Sequence, residues 1–67
     1  DRTVVRPGDK PGSQSVWYFR GDTLLAVDAM NDPRAYMIGK RLIEAGQSPA
    51  PAAVADPDTP LKSLLPA

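Results

Sequence analysis

The chain has no cysteine and no histidine. The first absence excludes a disulfide framework and thiolate metal ligation. The second removes the commonest metal ligand and the usual general base near neutral pH. Charge of one sign is missing too: eight basic residues offset eight acidic ones, and the formal net charge is zero. No basic field points to nucleic acid, and no acidic run points to a solvating tail. No apolar run approaches the roughly 18 residues of a membrane-spanning helix. Residues 1–15 are polar and rich in Pro and Gly, unlike a secretory leader. The expectation is a cytoplasmic protein with no membrane and no nucleic-acid partner. Aromatic residues are scarce, and three of the four stand together as Trp17-Tyr18-Phe19.

A chain of 67 residues is one small domain at most. A domain of that size buries only about 60% of its unfolded surface, so its core is marginal. The chain enters a β-like run, "DRTVVRP", almost at once and without an initiator Met. That start predicts a piece of a longer protein rather than a processed small one.

Residues 3–7 are short and β-branched, which suits a strand. "GDKPGS" at 8–13 is turn chemistry. Residues 14–20, "QSVWYFR", form a second strand that is apolar on both sides: Val16 and Tyr18 point one way, Trp17 and Phe19 the other. Gly21-Asp22 is a two-residue hairpin signal, so the Arg20-Gly21-Asp22 tripeptide reads as a turn and not as an adhesion motif. A third strand over 23–30, "TLLAVDAM", completes a three-stranded antiparallel meander.

The strand runs through Asn31-Asp32-Pro33 straight into a helix. Asn31 or Asp32 can cap free N–H groups, and Pro33 suits the first helical position. On a helical wheel Ala35, Tyr36, Ile38, Gly39, Leu42 and Ile43 share one broad face, with Arg34, Lys40, Arg41 and Glu44 opposite. Gly46 is the expected stop. Gly39 costs about 1 kcal/mol against Ala inside a helix, so it marks a close approach of helix to strand. Met37 falls in the middle of the charged face and is a candidate contact with a second domain.

Residues 47–67 hold five of the eight prolines. They predict an extended wrap with a helical turn over 51–55 and another opened by Pro60, capped by Asp58 or Thr59, with Leu61, Leu64 and Leu65 on one side. The Leu spacing favours docking over a free Ala/Pro tail.

Asp28, Asp32, Asp56 and Asp58 are the acids that could form a paired-carboxylate site, but no spacing makes two of them converge. Asp32 and Asp58 read as caps. Asp28 is expected to face water or to pair with Arg34 or Arg20. No Gly-rich phosphate loop is present. Without a basic surround, the aromatic triplet reads as packing rather than as a base-stacking platform. The residues therefore assign no catalytic, cofactor-binding or metal-binding side chain. The helix can cover one sheet face only, and the expectation places Trp17 and Phe19 on the other as an interface. An isolated chain is then expected to self-associate.

The ordered set of elements resembles a known family. Val16–Phe19, the Gly21-Asp22 hairpin, Val27-Asp28-Ala29-Met30-Asn31, Pro33 with the Lys40–Ile43 helix core, and the tail "AAVADPDTPLKSLL" are similar to the C-terminal domain of FAD-dependent ferredoxin reductases. These include putidaredoxin-reductase-like bacterial enzymes and the reductase components of ring-hydroxylating dioxygenases. "VVRPGD" resembles that family's Val-Val-Arg-Gly-Asp with an inserted Pro7. The resemblance implies an α+β interface domain over 1–67, sheet and helix in 1–46 and wrap in 47–67, from a glutathione-reductase-like flavoenzyme. It implies FAD and NAD(P)H domains upstream, with electrons passing from NAD(P)H through FAD to an iron–sulfur ferredoxin. It also implies that an upstream strand of the same domain is missing here. The other reading is a free-standing interaction or oligomerisation module.

Overall fold

The computed structural model describes residues 2–65. Three strands, β1 (Arg2–Pro7), β2 (Gln14–Arg20) and β3 (Thr23–Met30), form an antiparallel sheet in the order β1-β2-β3. A helix α1 (Pro33–Glu44), a short helix α2 (Pro51–Ala55) and a 3-10 turn (Leu61–Leu64) follow. The architecture is the α+β meander that the sequence predicts. No helix among the described residues is long and apolar enough to cross a membrane.

The connections have local causes. In the β2–β3 hairpin Arg20 faces Thr23, and of the two loop residues only Gly21 has positive φ, at 57°, as a type II′ turn requires. Between β1 and β2 the Ser13 hydroxyl donates to the Lys10 carbonyl at 2.6 Å, and Gly8 N–H closes the loop on Ser13 O at 2.9 Å. Helix α1 ends in a Schellman motif: Gln47 N–H reaches Leu42 O at 2.9 Å and Gly46 N–H reaches Ile43 O at 3.1 Å, with Gly46 at φ 69°.

One face of the sheet carries the core. Val4, Trp17, Phe19, Leu24 and Val27 of the strands meet Ala35, Ile38 and Leu42 of α1 and Val54 of α2. Strict alternation would place Leu24 and Val27 on opposite faces. A bulge in the β2–β3 register, where Tyr18 faces Ala26 but Phe19 faces Leu24, inserts Leu25 and returns both residues to the core side. The Leu24 N–H donates to Ser48 Oγ at 2.8 Å, which ties the chain after α1 to the start of β3.

Two expectations are corrected here. Trp17 and Phe19 lie on the covered face, 0% and 2% exposed, not on the free one. Alternation separates them from Val16 and Tyr18 but does not say which pair the helix covers. The helix takes the side with the larger rings, where burial removes the most apolar surface from water. The apolar stripe of α1 is also narrower than the wheel suggests: Ala35, Ile38, Gly39 and Leu42 are buried, while Tyr36 and Ile43 are exposed. The helix packs mainly over the edge strand β3, so its flanks overhang the sheet.

Candidate interaction surface

The strand-to-helix corner is built for turning and capping. Asn31 takes the left-handed conformation at φ 51°, one of the few non-glycine residues suited to it. Asp32 is the N-cap, and its Oδ1 accepts from Ala35 N–H at 3.3 Å. Pro33 occupies the first turn, where its missing N–H costs nothing. Of the two predicted capping residues, Asp32 caps and Asn31 turns. The same corner offers no seat for a dinucleotide pyrophosphate. Such a seat needs a Gly-rich turn and free helix N–H groups; here one amide is proline and another is held by a carboxylate that would repel phosphate.

Beside this corner is an open cleft of about 500 Å³ between the β1–β2 loop and the tail, lined by Lys10, Arg34 and Lys62 as well as Asp9, Asp32 and Asp58. Arg6 lines it as well, but its guanidinium is committed to backbone carbonyls, and the remaining three cations face three carboxylates, so the cleft has no strong preference for anion or cation. Among the described residues no cluster of three or more His, Cys, Asp or Glu could hold a metal ion.

The polar side chains inside the fold are all committed. Trp17 Nε1 donates to the fully buried Ser15 hydroxyl at 2.8 Å. Asp56, not Asp58, organises the turn before the last helical segment: its carboxylate accepts from Asp58 N–H at 2.9 Å and from Thr59 Oγ1 at 3.1 Å. Pro60 stands at the cap position of the 3-10 turn, with no side-chain cap. The predicted cap at Asp58 or Thr59 is therefore replaced by an Asx turn two residues earlier. No buried side-chain polar atom among the described residues lacks a hydrogen bond.

The residue that sequence reading missed is Arg6. It is buried on the core face of β1, opposite Ser15. Its Nη1 donates to the carbonyls of Val54 at 3.1 Å, Asp56 at 2.9 Å and Ala53 at 3.5 Å, and its Nη2 donates to Thr59 O. The signal was there to use: alternation puts Arg6 on the same face as Val4, and a buried cation demands partners.

The opposite sheet face has no cover among the described residues. Cross-strand partners there are Val5, Val16 and Asp28 in one row, and Thr3, Tyr18 and Ala26 in the next. Val5, Leu25 and Met30 are 57%, 49% and 62% exposed. Tyr18 OH donates to Asp28 Oδ2 at 3.0 Å across the strands. That bond, and then the carboxylate's charge, push the Tyr18 phenol above its ordinary value of 10.0. Asp28 is thus exposed, with a tyrosine on its own sheet face as partner. Met37, named as a contact candidate, is 56% exposed on the side of α1 away from the buried stripe, and so not on the sheet's free face.

Comparison with known proteins fits a domain of this kind. The family model described as Reductase C-terminal matches residues 1–65. The chain is 38% identical over 65 residues to Ferredoxin--NAD(P)(+) reductase fdr of Sphingomonas sp, covering 97% of this chain and 16% of that protein. It is 34% identical over 65 residues to putidaredoxin reductase CamA of Pseudomonas putida, covering 97% and 15%. It is 38% identical over 64 residues to the 5,5'-dehydrodivanillate O-demethylase ferredoxin reductase subunit of a Sphingobium species, covering 96% and 16%. The chain thus spans about 16% of the length of the relatives it matches. It belongs to the Reductase C-terminal family, the C-terminal domain of ferredoxin reductases.

Proposed function

We propose that this chain serves as the C-terminal interface domain of an FAD-dependent NAD(P)H:ferredoxin oxidoreductase of the cytoplasm. The observation that carries the reading is the family match over residues 1–65, joined to a sheet with one closed face and one open apolar face. In this reading the flavin and nicotinamide sites lie in the rest of the protein, NAD(P)H supplies the electrons, and an iron–sulfur ferredoxin receives them. The domain contributes no reacting group. Its free face, with Val5, Val16, Leu25 and Met30, packs against the FAD domain and helps to wall the flavin site. Met37, on the outer side of the helix, offers a separate contact with a second domain. A strand of the same domain from before residue 1 completes the sheet.

Two measurements test the proposal. The full-length protein should purify with a flavin spectrum and reduce a [2Fe–2S] ferredoxin at the expense of NAD(P)H, while the 67-residue chain alone should bind no FAD. A full-length protein without flavin or nicotinamide chemistry would leave the alternative, a free-standing oligomerisation module. Separated from its cover, the chain should self-associate at micromolar concentration in sedimentation equilibrium, and Val5→Glu with Met30→Glu should abolish that association. A folded monomer with Trp17 buried would show that the open face is not an interface.

A further inference from the structure

We propose that residues 50–65 form a strap that opens as one unit, with Arg6 as its fastener. The strap joins the fold differently from everything before it. Among the described residues the sheet consists of β1, β2 and β3, so no strand ladder holds the strap. It places one fully buried side chain in the core, Val54, and packs Leu61, Leu64 and Leu65 against the core only in part. What remains is the Arg6 guanidinium, which donates to four strap carbonyls: Ala53, Val54, Asp56 and Thr59.

The geometry makes the release concerted. One nitrogen holds the end of α2 and the residue that follows it, and the other holds Thr59, after the Asx turn. A guanidinium that leaves the first group of carbonyls must leave the second. Buried cations do not rest unpaired, so Arg6 must then turn to water, and Val54 loses its seat beside β1. Lysine cannot take over this position. Its ammonium is a point charge with three donors and lacks the planar fork that spans two separated acceptor groups. The device is therefore a latch on the outer end of the core: closed, it seals the side of β1; open, it uncovers Val4 and the neighbouring core while β2, β3 and α1 stay folded.

Hydrogen exchange with mass spectrometry on the full-length protein tests this, across a series of denaturant concentrations below unfolding. Strap amides should exchange at least ten-fold faster than those of residues 14–30, with a weak denaturant dependence, since a local opening exposes little surface. Arg6→Lys and Arg6→Met should each raise strap exchange by at least a further ten-fold and change residues 14–30 by less than two-fold. A strap that shares the rate and the denaturant dependence of residues 14–30 overturns the proposal, as do Arg6 variants that accelerate both regions equally. The wild-type series decides the matter alone if neither variant folds.

Discussion

Gly39→Ala should destabilise this domain, although the same change in an exposed helix would stabilise it. Replacing Gly by Ala inside a helix gains about 0.8–1 kcal/mol from backbone entropy. At Gly39 a Cβ would stand 2.4 Å from Val27 Cγ1, 2.9 Å from Val27 Cβ and 3.3 Å from Val27 Cγ2. Favourable carbon–carbon separation is about 3.5–4.0 Å. Turning Val27 about χ1 can move its methyl groups but not its Cβ, and a β-branched side chain has few rotamers to offer. The helix must therefore lift from β3, which loosens Ile38 and Leu42 beside it. Overpacking costs about 1–3 kcal/mol, and a 2.4 Å contact belongs in the upper half of that range, so after a propensity gain of about 1 kcal/mol the net expectation is a loss of about 1–2 kcal/mol. Urea denaturation followed by Trp17 fluorescence measures it, because Trp17 is the chain's one tryptophan and is fully buried. Val27→Ala alone should cost roughly 1.6 kcal/mol for two buried methyl groups. In the double variant the methyl clash is gone and Gly39→Ala should become nearly neutral, a coupling of about 1–2 kcal/mol. A Gly39→Ala variant that is more stable than the wild type by its full propensity gain would refute the close approach.

Asp32→Ala should cost about 0.5–2 kcal/mol, as loss of an N-cap does, and leave NAD(P)H oxidation by the full-length protein unchanged; a fall in turnover at unaltered stability would move Asp32 into the reaction. Tyr18 should titrate above its ordinary 10.0, and Asp28→Ala should lower its midpoint, read from phenolate absorbance against a Tyr18→Phe control. The sign follows from linkage: a raised folded-state value favours the protonated phenol, so this contribution to stability is whole below the unfolded pKa and is lost as pH rises through the folded one. An unchanged midpoint in Asp28→Ala would mean that the Tyr18–Asp28 bond does not persist in solution.

Elements with strong local signals were legible in the sequence. The bounds of β2 and β3 follow from the Gly21-Asp22 turn between two apolar runs, α2 from the Pro-Ala-Ala-Val-Ala turn, and the start of α1 from Asp32 and Pro33. The close approach at Gly39 was legible as well, since a helix keeps a costly glycine only for a reason such as contact. What alternation could not supply was parity after an irregularity. The inserted Leu25 moves Leu24 to the core side, whereas period-two counting assigns Leu24 to the face of Asp28. Nor could a strand apolar on both sides say which side the helix covers, and that choice reversed the expected positions of Trp17 and Phe19. Alternation with Val4 marked Arg6 as facing the core, but its partners are backbone carbonyls, which every residue has and no sequence pattern marks.

The way the polar groups are spent bears on what such a domain can do. Asp32 holds a helix start, Asp56 a turn, Ser15 an indole, Ser48 a bulged strand amide and Arg6 a set of carbonyls. Each is fixed by a structural partner, so none is free to exchange a proton or ligate an ion without loosening the fold. Beside its exposed charged residues the surface also carries large apolar groups: Val5, Leu25 and Met30 on the strands, with Tyr36, Met37 and Ile43 on the helix. Surface of that kind acts by excluding water from whatever it touches. At about 25 cal/mol per Å², covering even 200 Å² of it yields about 5 kcal/mol, comparable with the whole stability of a small domain. In the proposed interface role, a covering partner would therefore add appreciably to the stability of the module. The same contact would then do two things in that role: stabilise the domain and keep water away from the joined site.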